Sequence, residues 1–300
     1  MKTTVTRRSI LAGLGAAVIA TPALSFAATP GKGIRFGYTA MTWGEQERQA
    51  MDDIASAGFP GIQFRANAVT DFKPAELKDL LAQHKLTFVA LSSGDVSLDE
   101  PEADQIKKHV ANAQFVKDSG GLYLQVLDRL KAYPRTATPD ECKRLGNLLT
   151  EIGKRTADLG IPLCYHNHLN TLSQMPGNLD QILSNSEAKF VKLELDTAHC
   201  VAGGGDPAQV IEKYHDRLLF LHLKDVIDKP SDTTKYPFEW VELGRGKVDL
   251  PGVFAALDKV GFRGWAVVEL DRVPDKTRTP KECALISKAY LEQKIGVRVS

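Results

Sequence analysis

The chain has 300 residues, of which 43% are hydrophobic, and its 38 basic and 37 acidic side chains leave a formal net charge of +1. Without a basic stripe or interleaved basic and aromatic residues, this balance argues against nucleic acid as a partner. The four cysteines form no CxxC pair, so no disulfide framework is indicated, and we expect buried free thiols.

Residues 1–27 are predicted to be a twin-arginine export signal. Arg7-Arg8 precedes an apolar stretch from Ile10 to Ala20, and Ser25-Phe26-Ala27 supplies small residues for cleavage. That stretch is too short to span a bilayer stably, and no second run of spanning length follows. Cleavage would leave 35 basic against 37 acidic residues. We expect a soluble periplasmic protein, without membrane contact after cleavage, that is exported in its folded state.

Eight β-rich runs alternate with eight helical stretches over residues 28–300. The predicted strands are Ile34–Tyr38, Gly61–Arg65, Thr87–Ser92, Leu122–Leu127, Leu163–His168, Val191–Asp196, Leu218–Leu223 and Ala266–Leu270. The predicted helices are Glu45–Ala57, Pro74–His84, Pro101–Ser119, Thr138–Leu159, Leu179–Ser184, Pro207–Tyr214, Leu250–Val260 and Pro280–Gln293. Strict alternation indicates a parallel sheet with crossover helices, and the length is near the ~250 residues of a β/α barrel. We predict an α/β fold, a single-domain (β/α)8 TIM barrel.

An open doubly wound sheet is the competing fold. It would usually place a glycine-rich phosphate loop after the first strand, but residues 37–43 read GYTAMTW. The longest connection, Ile227 to Lys247, follows the seventh strand and is expected to form part of the rim over the active site. The barrel is therefore the favoured fold.

Four polar residues stand where four successive strand-like runs give way to loops: His166 in LCYHNH, Asp196 in LELDTAH, His222 in LHLKD and Glu269 in VVELD. In a parallel barrel these strand ends meet at one mouth, and a cluster of imidazoles and carboxylates there predicts a divalent metal site. Strand alternation places Glu194 and Lys192 deeper on the same face as Asp196, where we expect a structural pair.

The HNH at the fifth strand, with LDTAH, HLKD and GWAVVELD, resembles the xylose-isomerase-like barrel family of sugar isomerases and epimerases. The additional GGGDP and VELGRGKVDL segments are most similar to its inosose dehydratase branch. The resemblance extends over nearly the whole mature chain. It implies a metal-dependent enzyme that acts on a small carbohydrate, with the oligomeric state open and a homo-oligomer among the options.

By this resemblance, Asp196, His222 and Glu269 match three ligands of a metal site. The implied ion is Mn2+, although mixed oxygen and nitrogen donors also suit Mg2+, Co2+, Fe2+ or Zn2+. The fourth family ligand is usually a glutamate at the end of the fifth strand. This chain has His166 at that position, or Gln174 slightly later, so the expected carboxylate is absent.

The same resemblance implies catalytic roles. His199 matches a substrate-contacting histidine, and Lys224 is placed to hold a substrate oxygen or a ligand carboxylate. Family epimerases use two glutamates on opposite faces of the substrate, whereas this chain keeps only Glu269. A histidine, His166 or His168, could act as the partner acid or base because its pKa lies near working pH. The missing glutamate favours elimination over epimerisation.

Our first hypothesis is a dehydratase-like lyase that forms an enediolate on an unphosphorylated keto sugar, keto polyol or keto glycoside. The alternatives are a true isomerase or epimerase with a histidine in place of one glutamate, and a non-catalytic sugar-binding barrel. An endonuclease of the related repair family is disfavoured by export and by the acidic mature charge. Arg65 and Arg245 are candidate anion-binding residues, and the aromatic residues expected either to stack on a sugar or to pack the rim are Trp43, Trp240 and Phe238.

Overall fold

The computed structural model describes residue 1 and residues 31–129, 137–229 and 237–299. The predicted twin-arginine segment, including Arg7-Arg8, lies outside these residues. Part of the long connection after the seventh predicted strand also lies outside them.

The strands form a closed parallel barrel and a small separate hairpin. The barrel strands, in chain order, are β1 (Arg35–Thr39), β2 (Gly61–Arg65), β3 (Thr87–Val96), β4 (Tyr123–Asp128), β5 (Leu163–His166), β6 (Val191–Asp196), β7 (Leu218–Leu223) and β10 (Trp265–Val268). They neighbour one another in the order β1-β10-β7-β6-β5-β4-β3-β2. The TIM-barrel prediction is therefore confirmed.

Helices follow the barrel strands, so each crossover returns the chain to the start of the next strand. They are α1 (Glu47–Ala57), α2 (Ala68–Asp71), α3 (Pro74–His84), α4 (Glu102–Asp118), α5 (Pro139–Asp158), α6 (Pro176–Ser184), α7 (Thr197–Ala202), α8 (Pro207–Lys213), α9 (Leu250–Lys259) and α10 (Pro280–Tyr290). Thr138 and Glu141 form a capping box at the start of α5, and Asp206 caps α8. None of the helices in the described ranges has both the length and the apolar character needed to cross a membrane.

The connection after β7 contains a hairpin that the sequence pattern did not reveal. β8 (Asp225–Asp228) pairs antiparallel with β9 (Phe238–Val241). Each strand has four residues, too few for a clear period-two pattern, so the pairing depends on tertiary contacts. The expected position over the site is found for Trp240, which contacts the ring of His199 at a centroid distance of 4.5 Å.

The lower part of the barrel interior is apolar. A buried cluster there consists of Val89, Ala90, Cys164, Phe220, Trp265 and Val267. The expectation of buried free thiols is confirmed for all four cysteines, one of which, Cys200, lies in α7. The polar residues His166, Asp196 and His222 lie above this apolar cluster, nearer the carboxyl ends of their strands.

Gly61 tests the packing of this floor. An added Cβ would lie 2.5 Å from Trp265 Cζ3 and 2.8 Å from Val89 Cγ2, so we expect Gly61→Ala to lower the free energy of unfolding by about 1–3 kcal/mol. Gly177→Ala is the control, because no atom lies within 4 Å of its added Cβ. Urea denaturation compares the two, and a Gly61→Ala protein as stable as the Gly177→Ala protein would contradict the tight packing.

Candidate active site

The four predicted strand-end residues converge at the mouth of the barrel. His166 and Asp196 end β5 and β6, His222 lies on β7 beside Asp196, and the Glu269 N–H donates to Leu223 O at 3.0 Å, which continues β10 along β7. All four side chains are buried, and one candidate ligand atom from each lies within 4.8 Å of the others. The structure thus brings together His166, Asp196, His222 and Glu269, a group we call the mouth cluster.

Asp196 Oδ2 and His222 Nδ1, which face each other in the mouth cluster, are both buried without a hydrogen-bond partner. His222 Nδ1 lies 2.9 Å from Glu269 Oε2 and 3.8 Å from Asp196 Oδ2. Buried polar atoms without partners are costly, and a cation between them would satisfy them. The mouth cluster, with two imidazole and two carboxylate side chains, therefore fits a divalent metal ion.

Asp196 is held rigidly from two sides. Its Oδ1 accepts from the His199 N–H at 2.7 Å, as the N-cap of α7, which leaves Oδ2 directed to the cluster. Asn167, which the sequence analysis did not single out, brackets the Asp196 backbone: its Oδ1 accepts from Asp196 N–H at 2.9 Å and its Nδ2 donates to Asp196 O at 3.1 Å. The position of the free carboxylate oxygen is therefore determined by backbone contacts.

Glu194 lies below the mouth cluster and is fully buried. Its Oε1 is 2.8 Å from His222 Nε2 and 3.3 Å from His166 Nδ1. The expected pairing with Lys192 is wrong, because the ion pairs of Glu194 within the described ranges are both with histidines. Lys192, which pairs with Cys164 of β5, is partly exposed.

The carboxylates give the mouth cluster a negative character. Burial alone would lower the pKa of His222, but Glu194 and Glu269 outweigh burial and hold that pKa well above its usual value. Burial alone would raise the pKa of Glu194 and of Glu269, yet the charge of His222 beside both holds each pKa below its usual value. This environment stabilises positive charge at the centre of the cluster.

Lys224 supports Glu269 from the other side. Its buried Nζ lies 3.2 Å from Glu269 Oε2, donates to Asp271 and lies 4.7 Å from the centroid of the Trp240 ring. Burial alone would lower the pKa of Lys224, but Asp271 and Glu269 raise it, so the side chain is a cation. Lys224 contacts a candidate ligand carboxylate, which is one of its two expected positions.

A cavity of about 340 Å³ adjoins the mouth cluster and is lined by His168, Leu169, Asn170, His199, Phe238, Trp240, Asp271 and Arg272. The His168 and His199 rings lie 3.7 Å apart. Burial, with the neighbouring His166 and Lys224, lowers the pKa of His168 to about 4. Burial, with His168 and Lys224, holds the pKa of His199 well below its usual value. Both rings are therefore neutral at neutral pH.

The structure distinguishes the aromatic residues that line the cavity from those that pack elsewhere, and it distinguishes the two options for the fourth metal ligand. Trp43 is buried with its Nε1 donating to Asp53 at 2.8 Å, whereas Trp240 and Phe238 line the cavity. Gln174 Oε1 accepts from Asn170 N–H at 2.8 Å, so of the two options for a fourth ligand, His166 is the one found in the mouth cluster.

Both arginines that were predicted to bind an anion already contact acceptor groups of the protein. Arg65 donates to Gly44 O and lies 3.5 Å from Glu47, and Arg245 lies 3.7 Å from Glu242. Arg272, which lines the cavity, was missed because it follows the last strand and belongs to no pattern.

A buried carboxyl group anchors the loop after β5, which carries His168. Asp128, at the end of β4, accepts from Leu172 N–H at 2.7 Å and from the Tyr165 hydroxyl. Burial raises the pKa of Asp128 to about 6, although these two hydrogen bonds lower it in part.

The chain is similar in sequence and in fold to known TIM-barrel proteins. A family model described as xylose isomerase-like TIM barrel matches residues 51–289. The inosose dehydratase of Lacticaseibacillus casei is 28% identical over 270 residues, which cover 83% of this chain and 90% of that protein. Among solved structures, a probable 3-DHS dehydratase from Bacillus anthracis has a TM-score of 0.71 at 15% identity, over 87% of this chain and 100% of its own. The IolI protein with a bound zinc atom has a TM-score of 0.72 at 18% identity, over 88% of this chain and 98% of its own.

The pKa of Asp128 predicts a specific pH dependence of stability. The pKa of Asp128 is about 6 in the folded protein and about 3.9 in an unfolded chain, so between these pH values the folded state binds a proton that the unfolded state has lost. Protonation of Asp128 therefore stabilises the fold at low pH, and this stabilisation is lost as pH rises from about 4 through 6. Relative to Asp128→Asn, the wild type should lose up to about 3 kcal/mol of unfolding free energy between pH 4 and 7. Urea denaturation at both pH values measures this change.

The control is Asp79→Asn, which removes one carboxylate at an exposed position of α3. If the difference in unfolding free energy between wild type and Asp128→Asn stays constant across this pH range, the pKa of the Asp128 carboxyl is not raised.

Proposed function

This chain belongs to the xylose isomerase-like TIM barrel family, and we propose that it is a divalent-metal-dependent enzyme that removes a proton next to the carbonyl of a keto sugar, keto polyol or keto glycoside. The observation that supports the proposal best is the mouth cluster, in which four buried side chains offer ligand atoms within 4.8 Å of one another. The unpartnered Asp196 Oδ2 and His222 Nδ1 support a cation at this place.

The proposed ligands are Asp196, His222, Glu269 and His166. A divalent cation at such a site polarises a carbonyl and stabilises negative charge on its oxygen, a contribution of several kcal/mol. Two imidazoles suit Zn2+, Fe2+ or Co2+ at least as well as the Mn2+ implied by the sequence. The zinc atom in the related IolI structure is in keeping with this donor set.

His168 is the proposed base. Its Nδ1 lies 2.6 Å from Leu169 O and can only donate to that carbonyl, so the neutral ring carries its lone pair on Nε2. The ring lines the cavity where a substrate would lie beside the mouth cluster. Glu269, as ligand, is the second candidate base, and Lys224 holds its carboxylate in place. His199 is the proposed substrate contact, since its ring lies between His168 and Trp240.

The cavity lining supports a carbohydrate-sized, uncharged substrate. Trp240 and Phe238 offer apolar faces, and Asn170 offers an amide, which is the mixture that sugar rings require. Asp271 and Arg272 line the cavity with one charge of each sign, and the Lys224 ammonium is already neutralised by Asp271 and Glu269. We therefore propose an unphosphorylated substrate.

Elimination is favoured over epimerisation. The curated relatives matched by this chain include inosose dehydratases at 24–28% identity over 83–85% of its length. The position where family epimerases carry a second glutamate is occupied here by His166, which sits in the mouth cluster and not on an opposite face of the cavity. Elimination needs a base that takes the proton and an acid that protonates the departing oxygen, but not two matched carboxylates.

The test is turnover of a panel of keto sugars, keto polyols and keto glycosides in deuterated water, followed by proton nuclear magnetic resonance. We expect the metal-loaded protein to release water or the aglycone, and chelation or Asp196→Asn to lower kcat/KM by about 100-fold or more, as loss of a term of several kcal/mol requires.

Asp206→Asn serves as the control, because this aspartate caps α8 and lies outside the mouth cluster. Deuterium exchange with inversion and no loss of a substituent would reject elimination in favour of epimerisation. Turnover of phosphorylated sugars alone would reject the substrate class, and activity unchanged by Asp196→Asn would reject the metal.

We also propose that the protein is exported to the periplasm, on the basis of the Arg7-Arg8 segment. Twin-arginine signals require both arginines, so Arg7→Lys together with Arg8→Lys should retain the protein in the cytoplasm with its signal uncleaved. Cell fractionation with immunoblotting measures this, and equal periplasmic amounts of variant and wild type would contradict the proposal.

A further inference from the structure

We propose that Glu194 is a positioning residue that fixes the tautomer and orientation of both histidines of the mouth cluster. This inference rests on the metal-dependent function proposed above. Glu194 is not itself among the four candidate ligands, and it lies on the far side of the imidazole rings from Asp196 and Glu269.

The surroundings of His222 determine where its proton lies. Its Nε2 is 2.8 Å from Glu194 Oε1 and 2.9 Å from Gln63 Oε1. Two acceptors face this nitrogen, so it carries hydrogen, since a lone pair there would be repelled by both. When the ring holds a metal ion it is neutral, and its lone pair is then on Nδ1, the atom that lies 2.9 Å from Glu269 Oε2 in the mouth cluster.

His166 is oriented by the same oxygen. Its Nδ1 lies 3.3 Å from Glu194 Oε1, and its ring centroid is 5.0 Å from that of His222. With Nδ1 carrying the proton beside a carboxylate, Nε2 is the nitrogen that can bind a metal. One carboxylate therefore prepares both imidazoles as ligands, with opposite tautomers.

The cost of burying Glu194 supports a specific role. Neither carboxylate oxygen has a well-formed hydrogen bond within the described residues, and the two imidazoles are the groups close to it. A buried carboxylate with so few partners stabilises a fold poorly compared with an apolar residue of similar size. Carboxylates that accept the second N–H of a ligating histidine increase the basicity of that ligand, and their loss lowers metal affinity about 10–100-fold.

Glu194→Gln is the sharpest variant, because it keeps the size of the side chain and removes the charge. A glutamine that keeps its oxygen at this position accepts without a negative charge, and one that turns its amide there donates towards both imidazoles and favours the wrong tautomers. We expect the dissociation constant for Zn2+, measured by competition with a chromophoric chelator, to rise about 10–100-fold. In the zinc-loaded wild type with 15N-labelled histidine, nuclear magnetic resonance should show His222 bound through Nδ1 and His166 bound through Nε2.

Glu242→Gln is the matched control. Glu242 is an equally buried carboxylate on another part of the chain, and its ion pairs are with Arg278 and Arg245. This variant should lose stability and keep wild-type zinc affinity. A general effect of removing a buried charge would weaken zinc binding in both variants and would overturn the proposal.

Equal zinc affinity of wild type and Glu194→Gln would overturn the role of Glu194 and leave the metal site intact. Zinc bound to His222 through Nε2 in the wild type would overturn it as well, and this measurement decides the matter even if Glu194→Gln does not fold. A wild-type protein that binds none of Zn2+, Mn2+ and Co2+ would reject the metal-dependent function itself, together with this inference.

Discussion

The structure of the site depends on how the barrel compensates buried negative charge. Glu194, Asp196 and Glu269 are each at most 5% exposed, and all three lie at or just below the barrel mouth. Carboxylates removed from water in this way are costly unless cations or donors surround them. The imidazole of His222 and the ammonium of Lys224 supply part of that compensation. The unpartnered Asp196 Oδ2 and His222 Nδ1 lie 3.8 Å apart, and a divalent cation is the simplest completion of the site.

The barrel geometry brings these groups to the same level. Between Leu193 and Glu194 the pairing of β6 with β7 shifts by one residue, and this shift sets Asp196 directly beside His222. In an unshifted register Asp196 would lie beside Leu221, whose side chain belongs to the layer between the barrel and its helices. The irregularity is therefore a requirement of the site. Below it, the apolar cluster around Trp265 excludes water from the base of the mouth.

Structural and chemical tasks are divided between different residues. Asn167 and the first turn of α7 hold Asp196, Glu194 orients the imidazoles, and Lys224 restrains Glu269. Burial, with His166 and Lys224, lowers the pKa of His168 to about 4, below the working range expected from the sequence, so the ring is neutral and its Nε2 can accept a proton. The hairpin of β8 and β9 adds Trp240, which closes the cavity over these rings. This division suits a sugar-modifying enzyme of this family.

The sequence alone determined the barrel and the level of the site within it. Eight apolar runs alternating with helical stretches specify the fold, because period-two burial and crossover helices are local consequences of residue order. The positions of Asp196, His222 and Glu269 at strand ends followed from the same pattern. Only the tertiary structure decided that Glu194 faces two histidines and not Lys192, that the His166 ring joins the mouth cluster while Gln174 bonds the Asn170 backbone, and that Asn167 brackets Asp196. Those contacts join residues on different strands, and their distances depend on register shifts and loop paths that no single segment encodes.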